Sequence, residues 1–253
     1  MPEAPITLSA HGLTRLFGKH GAVRDVSLQL RHGEVLALLG HNGAGKSTTL
    51  QMLTGVLQPH AGRIEICGFD PARQPDQARA CIGYLPETPP LYRDMRVDDY
   101  LVFAAGLRRM PRDRIPAALS ETKRRCGLQD AGQKIIGTLS KGYQQRVGIA
   151  QAIIHNPEII ILDEPTVGLD PVQIRDIRAL IRELGHARSV ILSTHMLDDV
   201  ANICDRVEIM HQGRLIYSDT SARMMQHGNG LMKLEDVFVD ILNNHDADAR
   251  APA

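Results

Sequence analysis

The fold is decided by residues 35–47, which read Val35-Leu36-Ala37-Leu38-Leu39-Gly40-His41-Asn42-Gly43-Ala44-Gly45-Lys46-Ser47. The first five of these residues are all apolar, which predicts a short buried strand. The next eight fit the pattern G-x-x-x-x-G-K-S, and residues 48–57 are predicted to form a helix. A glycine-rich loop between a buried strand and a helix is typical of a P-loop, which binds the phosphates of a nucleoside triphosphate together with Mg²⁺.

The residue types in this loop have the chemistry that phosphate binding needs. Glycines let backbone N–H groups close around the phosphates, and the helix N-terminus adds positive potential. The Lys46 ammonium can reach the β- and γ-phosphates, and the Ser47 hydroxyl can bind Mg²⁺. The predicted nucleotide-binding residues of the loop are Gly40, His41, Asn42, Gly43, Ala44, Gly45, Lys46, Ser47 and Thr48. The alternative is a purely structural glycine-rich turn, against which the four fixed residues of the motif argue together.

Composition narrows the class of protein. The chain has 253 residues, long enough for one large α/β domain, and its 29 basic and 29 acidic side chains give zero formal net charge. Because neither a basic surface nor an aromatic stacking platform is indicated, no nucleic acid is expected as a partner. The four cysteines are scattered without a C-x-x-C pair, which favours reduced thiols in a cytosolic protein.

Neither a leader nor a membrane span is predicted. Residues 1–6 lack the apolar core of a secretory signal. A run of about 18 apolar residues, as a membrane helix would need, does not occur. A role at a membrane would therefore require a partner.

The rest of the pattern predicts an α/β chain with a mostly parallel sheet and helices on both faces. Strands are expected within 6–39 and at 62–68, 82–85, 159–162 and 189–193, with a hairpin at 206–218. A helical subdomain is placed at 88–157, where the first helix has an apolar face made of Val97, Leu101, Val102 and Ala105. A single domain is expected over 6–242, and the small polar residues 243–253 are predicted to be a disordered tail.

Two acids follow the apolar strand at 159–162. An acidic residue at the exit of a buried strand can hold Mg²⁺ opposite Ser47, and Asp163 fits that role. The next residue, Glu164, can act as general base on the water that attacks the γ-phosphate. The alternative is a pair of helix-capping acids, which the upstream P-loop disfavours because phosphoryl transfer needs both a metal holder and a group that positions water.

Two further features are weaker on their own. His195 follows the strand at 189–193, so its imidazole can reach the ligand crevice and orient the attacking water, but it also fits an ordinary loop histidine. Ser140 is a good helix N-cap and Gly142 leaves the first turn open, which gives a second helix N-terminus suited to phosphate. Plain helix capping explains Ser140 as well, and on the pattern alone it is favoured.

Together these segments resemble the ATP-binding subunits of ABC transporters, over nearly the whole of residues 6–242. GHNGAGKS at 40–47 resembles Walker A, LSKGYQQR at 139–146 the ABC signature, and IIILDE at 159–164 Walker B with its glutamate. VGLD at 167–170 resembles the D-loop, and STH at 193–195 the segment of the switch histidine. The resemblance implies the P-loop ABC ATPase fold, with N-terminal antiparallel strands, and ATP hydrolysis coupled to transport across a membrane.

The resemblance also implies roles for further residues. Two chains would pair head to tail, with ATP between the P-loop of one and Ser140 and Gly142 of the other. Asp170 of the D-loop is counted with the nucleotide-binding residues. Phe17 lies where the family places an aromatic that stacks on adenine, and the alternative for it is a core phenylalanine. Glu87 occupies the Q-loop position, where a carboxylate can meet Mg²⁺ or its waters.

The implied site has two functional sets. The catalytic residues are Glu164, His195 and Lys46, and the metal-binding residues are Ser47, Glu87 and Asp163.

Several positions depart from the common family pattern. Glu87 replaces the Q-loop glutamine, Lys141 and Tyr143 alter the signature, and His41 stands where proline is common. These variants resemble the export-type group whose membrane partners are ABC-2 permeases. That resemblance implies a cytoplasmic subunit, peripheral on the inner face of the membrane, which drives a separate multi-span permease.

The segment at 87–107 is the expected contact with that permease, because the family's membrane subunit binds in this neighbourhood. It carries Leu91, Tyr92 and Met95 in a region expected to be exposed. The alternative is a loop packed on its own domain.

Other functions stay open at this point. One is a soluble ABC ATPase that acts on ribosomes or DNA, although the chain lacks the long coiled coil that such relatives usually carry. Another is a regulator that binds ATP without turnover, which the intact Lys46, Asp163, Glu164 and His195 argue against. A GTPase is disfavoured because no N-K-x-D motif occurs.

Overall fold

The computed structural model of the protein describes residues 4–18, 20–226 and 234–250. The strands are β1 (Ile6–Phe17), β2 (His20–Arg31), β3 (Val35–Leu39), β4 (Ala61–Ile66), β5 (Ile82–Leu85), β6 (Ile159–Asp163), β7 (Ser189–Thr194), β8 (Arg206–His211) and β9 (Arg214–Thr220). The α-helices are α1 (Lys46–Leu53), α2 (Pro75–Ala80), α3 (Val97–Leu107), α4 (Ile115–Cys126), α5 (Lys141–Ile153), α6 (Pro171–Gly185), α7 (Leu197–Ile203), α8 (Ser221–Gln226) and α9 (Leu234–Arg250).

Two sheets organise these elements. The larger one has the strand order β5-β6-β7-β3-β8-β9, in which every neighbouring pair is parallel except β8 and β9. The smaller one has the order β2-β1-β4 and is antiparallel. The predicted fold class is confirmed: a mostly parallel sheet with antiparallel strands from the N-terminal part of the chain.

The central strand β3 is buried along its whole length because both faces of the large sheet are covered. Val35, Ala37 and Leu39 pack into the core cluster that the helices cover. Leu36 and Leu38 point the other way, into the cluster shared with the antiparallel sheet and α1. This alternation explains why the strand is apolar at every position, and it places the loop after β3 at the edge where the parallel strands end.

The helices α3, α4 and α5 pack together and form the expected helical region, with α5 also packed on β5. Val97, Leu101 and Ala105 are buried in the core, as predicted. Val102 was assigned to the same face, and this is wrong because its side chain is exposed. Five residues after Val97, it is rotated well away from the buried stripe, which repeats at three- and four-residue intervals.

Some element boundaries differ from the sequence prediction. The first helix begins at Lys46 instead of Thr48 and ends at Leu53, shortly before Gly55, which takes a positive φ of 70°. The strand predicted at 62–68 ends at Ile66, because Cys67 and Gly68 adopt positive φ in a turn. Glycine reaches this conformation without strain, and it breaks both helix and strand geometry.

Residues 243–250, which were predicted to be disordered, belong to the helix α9. Extending a helix costs little once it has begun, and small polar residues between alanines do not break one. The ring of His245 lies edge-on to that of His211, with 6.3 Å between the ring centroids, so the helix contacts β8. Residues 251–253 of the predicted tail lie outside the described residues.

Within the described ranges, no helix is long and apolar enough to cross a membrane.

Candidate functional site

The loop after β3 is shaped by glycines that leave no room for a side chain. Gly45 precedes α1 with φ of 104°, and a Cβ there would lie 2.3 Å from the Ala22 carbonyl oxygen. A Cβ on Gly40 would lie 2.4 Å from the Met210 carbonyl oxygen. The backbone therefore passes close to its neighbours, and the first N–H groups of α1 are directed into the loop, as phosphate binding requires.

Lys46 is held inside this loop. Only 5% of its side chain is exposed, and its ammonium donates hydrogen bonds to the carbonyl oxygens of Gly40, at 2.7 Å, and His41, at 3.2 Å. The ammonium also lies 3.2 Å from Oε1 of Glu164. The P-loop lysine and the candidate general base are thus an ion pair in one buried site.

Asp163 joins the end of β6 to the P-loop. Its Oδ1 accepts hydrogen bonds from the hydroxyls of Ser47, at 3.1 Å, and Ser193, at 2.5 Å. Burial raises the pKa of the Asp163 carboxyl, the two hydroxyl donors oppose that rise, and the nearby carboxylates of Glu164 and Glu87 add to it. A cation bound beside Asp163 would oppose these effects and favour the ionised carboxylate.

Glu164 adopts an unusual backbone conformation, with φ of 48°. Its N–H donates to Ser193, to the hydroxyl at 3.0 Å and to the carbonyl oxygen at 3.2 Å. Oε2 lies 3.0 Å from Nδ1 of His195, whose side chain is 42% exposed, while Glu164 itself is only 6% exposed. Positive φ is strained for a residue with a Cβ and is often retained at functional sites, so the geometry singles out Glu164.

Lys46, Ser47, Glu164 and His195 line one cleft of about 400 Å³, whose wall does not include Asp163. Sequence-predicted residues in its wall are Asn42, Gly43, Gly45, Lys46, Ser47, Thr48, Glu87, Glu164 and His195. The sequence did not indicate two other wall residues, Ala22 and Val167. The structure thus brings together the P-loop, the glutamate after β6, the histidine after β7 and the acid at position 87.

Seven predicted nucleotide-binding residues do not line this cleft. Three belong to the P-loop itself, and the others lie elsewhere in the chain: Gly40, His41 and Ala44, then Phe17, Ser140, Gly142 and Asp170. Ser140 and Asp170 are exposed N-caps of α5 and α6, where each side chain accepts hydrogen bonds from backbone N–H groups. Gly142 is buried, and a Cβ there would lie 2.5 Å from the Gln173 side chain. In a single chain, the second helix N-terminus is therefore separate from the P-loop cleft.

Phe17 and His41 carry aromatic rings that are exposed instead of buried in the core. Phe17 is 51% exposed, and the guanidinium of Arg15 lies 5.3 Å from its ring centroid. The alternative of a core phenylalanine is thus excluded. The exposed ring of His41, in the P-loop, meets Phe238 of α9 edge-on at 5.3 Å between centroids.

Buried polar residues that the sequence did not indicate support the catalytic candidates. Ser193 binds both Asp163 and the backbone of Glu164, and its one visible signal is a hydroxyl at the end of an apolar strand. Asp199 is fully buried and accepts hydrogen bonds from the hydroxyls of Thr166 and Thr194. It carries no local signal because it sits among the acids of a short helix.

Comparison with known proteins identifies the family. Residues 23–167 match the family described as ABC transporter. The chain belongs to the ABC transporter family. It is 41% identical over 199 residues to the ABC transporter ATP-binding protein NatA of Bacillus subtilis, covering 78% of this chain and 80% of NatA. It is 35% identical over 206 residues to the bacitracin transport ATP-binding protein BcrA of Bacillus licheniformis, covering 81% of this chain and 66% of BcrA.

Solved structures of ABC transporter subunits share the fold. An ATP-binding subunit of an ABC transporter superposes with a TM-score of 0.83 at 31% identity, covering 93% of this chain and 99% of that one. The cbiO1 protein of Clostridium perfringens, part of the ABC transporter complex cbiONQ, superposes with a TM-score of 0.78 at 30% identity over 87% and 90% of the two chains. This chain is therefore the ATP-binding, ATP-hydrolysing subunit of an ABC transporter.

Proposed function

We propose that two copies of this ABC transporter subunit close on MgATP, and that hydrolysis drives a separate membrane permease of the ABC-2 export type. The observation that carries the proposal is the cleft in which Glu164 contacts both Lys46 and His195, while the helix N-terminus at Ser140 lies apart from it. The cleft has the groups for hydrolysis, and the separated N-terminus is free to complete a neighbour's cleft.

Hydrolysis in this cleft is assigned to Glu164. Its carboxylate takes a proton from the attacking water, and His195, 3.0 Å away, orients that carboxylate and contacts the γ-phosphate. Lys46 pairs with Glu164 in the structure described. A γ-phosphate carries more negative charge than Glu164, so it draws the ammonium toward itself and leaves the carboxylate as an acceptor for water.

The residues around Asp163 fit Mg²⁺. One hydroxyl from Ser47 and one carboxylate from Asp163 form a small oxygen donor set, 3.1 Å apart, of the kind that Mg²⁺ uses together with phosphate oxygens and water. Within the described part of the chain, no group of three or more His, Cys, Asp or Glu could hold a metal on its own. When bound, Mg²⁺ would neutralise charge on the β- and γ-phosphates, with Glu87 in the cleft wall near its waters.

The second half of the nucleotide site is assigned to the partner copy. The N-terminus of α5 is the positive end of the helix dipole, which favours phosphate. Ser140 is exposed and Lys141 follows it, so this end of α5 can face the γ-phosphate of a neighbour's ATP. ATP then acts as part of the interface, and its hydrolysis releases the pair.

The permease contact is assigned to a surface with two exposed aromatic side chains, Tyr92 and Phe103, here called the aromatic face. Tyr92 is exposed, with its ring 5.5 Å from Phe103 and 6.1 Å from Tyr100 between centroids. Leu91 and Met95, predicted to be exposed, are partly buried against the core instead. Phe103 is exposed as well, while Tyr100 is buried. A pair of exposed aromatic rings is typical of an interaction surface, and Tyr92 lies in the same segment as Glu87.

Export and a peripheral location on the cytoplasmic face of the membrane complete the proposal. The relative BcrA is named for bacitracin transport, and cbiO1 is part of a transporter complex. With no membrane-crossing helix in the described residues, this subunit reaches a membrane through a partner.

The test is to purify the tagged chain from detergent-solubilised membranes of its own host and identify what accompanies it. A stoichiometric multi-span protein of the ABC-2 type, whose presence stimulates ATP hydrolysis, is the expected result. Recovery of ribosomes or DNA-repair proteins without a multi-span protein would contradict the transport assignment while leaving the ATPase chemistry intact.

A further inference from the structure

Asp199 on α7 is the centre of a buried hydrogen-bond network that the proposed mechanism does not use. Its side chain is fully buried. Oδ2 accepts hydrogen bonds from the hydroxyls of Thr166, at 2.9 Å, and Thr194, at 2.8 Å. Oδ1 accepts a hydrogen bond from Nε of Arg178 on α6, at 2.7 Å. One carboxylate therefore joins the loop after β6, the end of β7, and the helices α6 and α7.

The two threonines are next to the residues assigned to hydrolysis. Thr166 follows Glu164 by two positions, and Thr194 directly precedes His195. The Thr194 hydroxyl also accepts a hydrogen bond from the backbone N–H of Met196, at 2.9 Å. That hydroxyl therefore fixes the backbone on both sides of His195.

The contact between Glu164 and His195 depends on these two segments keeping their relative position. The sheet pairs β6 and β7 only as far as Asp163 and Ser193. Glu164 and His195 lie beyond that pairing, yet Oε2 and Nδ1 are 3.0 Å apart. The Glu164 N–H bonds to Ser193 are one link between the two segments. Because both threonine hydroxyls bind the same oxygen of Asp199, the carboxylate provides a second link next to Glu164 and His195.

We propose that Asp199 is a positioning residue for ATP hydrolysis, which acts through Thr166 and Thr194 to hold Glu164 against His195. The inference rests on the roles proposed above for Glu164 and His195. The Arg178 guanidinium pairs with Oδ1 of Asp199 and leaves Oδ2 as the acceptor for both hydroxyl donors.

A purely structural role is the competing explanation, because the pair of Arg178 and Asp199 also joins α6 to α7. A substitution at Asp199 would leave the Arg178 charge buried and unpaired, which destabilises a protein whatever its mechanism. The threonine hydroxyls separate the two explanations. Each of them can be removed while the ion pair stays in place.

The test measures ATP hydrolysis and ATP binding by Thr166→Val and Thr194→Val. Thr194→Ser, which keeps the hydroxyl, is the rescue variant. The control is Thr54→Val, since Thr54 is also buried but its hydroxyl binds the carbonyl oxygens of Leu50 and Gln51 in its own helix. We expect valine at 166 or 194 to lower kcat about 10- to 100-fold, as misplacement of reacting groups does, with the Kd for ATP unchanged. The rescue and control variants keep the wild-type rate.

A second measurement places Thr194→Val in a Glu164→Gln background under single-turnover conditions. If the network acts by positioning Glu164, the second change adds little, because the group that it positions is already gone. An equal loss in both backgrounds, or wild-type turnover by the valine variants, would overturn the inference and leave Asp199 a packing residue. Where a valine variant fails to fold, alanine at that position removes the hydroxyl without added bulk.

The result for Glu164→Gln alone separates a failure of the role proposed for Glu164 from a failure of the inference about Asp199. Wild-type turnover by that variant would overturn the role proposed for Glu164, and the inference about Asp199 with it. An inactive Glu164→Gln together with fully active valine variants would overturn only the inference.

Discussion

Two regions of this subunit carry helix N-termini suited to phosphate, and they differ in how far one chain completes them. At α1, Lys46 is buried and bound to carbonyl oxygens and to Glu164. At α5, Ser140 is exposed, and the cleft wall does not include it. The catalytic groups are therefore assembled within one chain, whereas an exposed helix end gains a ligand only from another molecule.

The largest loss of ATP hydrolysis is expected from a substitution in the cleft at α1. Glu164→Gln removes the general base while it keeps the size and the hydrogen bonds of the side chain, so kcat should fall roughly 100-fold or more. ATP binding should persist because the P-loop is unchanged. Phosphate release and equilibrium binding of a labelled nucleotide measure the two effects separately. Near-normal turnover would show that another group activates the water.

A smaller effect is expected at the exposed region. Ser140→Asp keeps a good N-cap but places a negative charge beside the partner's γ-phosphate, so turnover should fall about tenfold or more. The matched control is Ser140→Asn, which caps the helix without the charge and should stay close to wild type. Steady-state ATP hydrolysis at saturating ATP is the measurement. Equal rates for the two variants would mean that α5 does not meet phosphate.

Substitutions in the aromatic face should weaken binding to the permease without changing ATP hydrolysis in the cleft. Tyr92→Asp combined with Phe103→Asp should reduce co-purification of the permease several-fold, because charge is costly in the core of an interface. Basal ATP hydrolysis should not change. Val56→Asp, at another exposed apolar position, is the control. Unaltered permease binding by the double variant would place the contact elsewhere.

The smallest effect is expected at Phe17. Stacking on a base contributes about 1–3 kcal/mol, and a half-exposed ring should lie at the lower end, so Phe17→Ala should weaken ATP binding about fivefold. Little stability should be lost because the ring is exposed. Leu16→Ala, at the exposed neighbouring position, serves as the control. If the Kd for ATP is the same in both variants, adenine does not stack on Phe17.

The sequence was most informative where one strong local pattern decides the structure. Runs of apolar residues predicted β3, β6 and β7. Lys46, Glu164 and His195 follow these strands and meet in one cleft because parallel strands end at the same edge. The P-loop glycines are also a local signal, since their positive φ and close contacts exclude other residues.

Contacts between distant segments could not be predicted in this way. Asp199 binds Thr166, 33 residues away, and Arg178, 21 residues away, and only the fold brings them together. The contact of Phe238 with His41 likewise depends on where α9 packs. Helical periodicity correctly predicted that Val97, Leu101 and Ala105 of α3 are buried, but it wrongly placed the exposed Val102 on the same face.

The most direct test of the central claim is the mass of the Glu164→Gln variant in solution with MgATP, measured by sedimentation. The account predicts a species of twice the 27.9 kDa chain mass with ATP and a monomer with ADP. It also predicts that adding Ser140→Asp to this variant keeps it monomeric with ATP bound. The central claim is that ATP lies between the P-loop of one copy and the α5 N-terminus of the other. An ATP-loaded monomer of Glu164→Gln, or a dimer that still forms when Ser140→Asp is added, would contradict it.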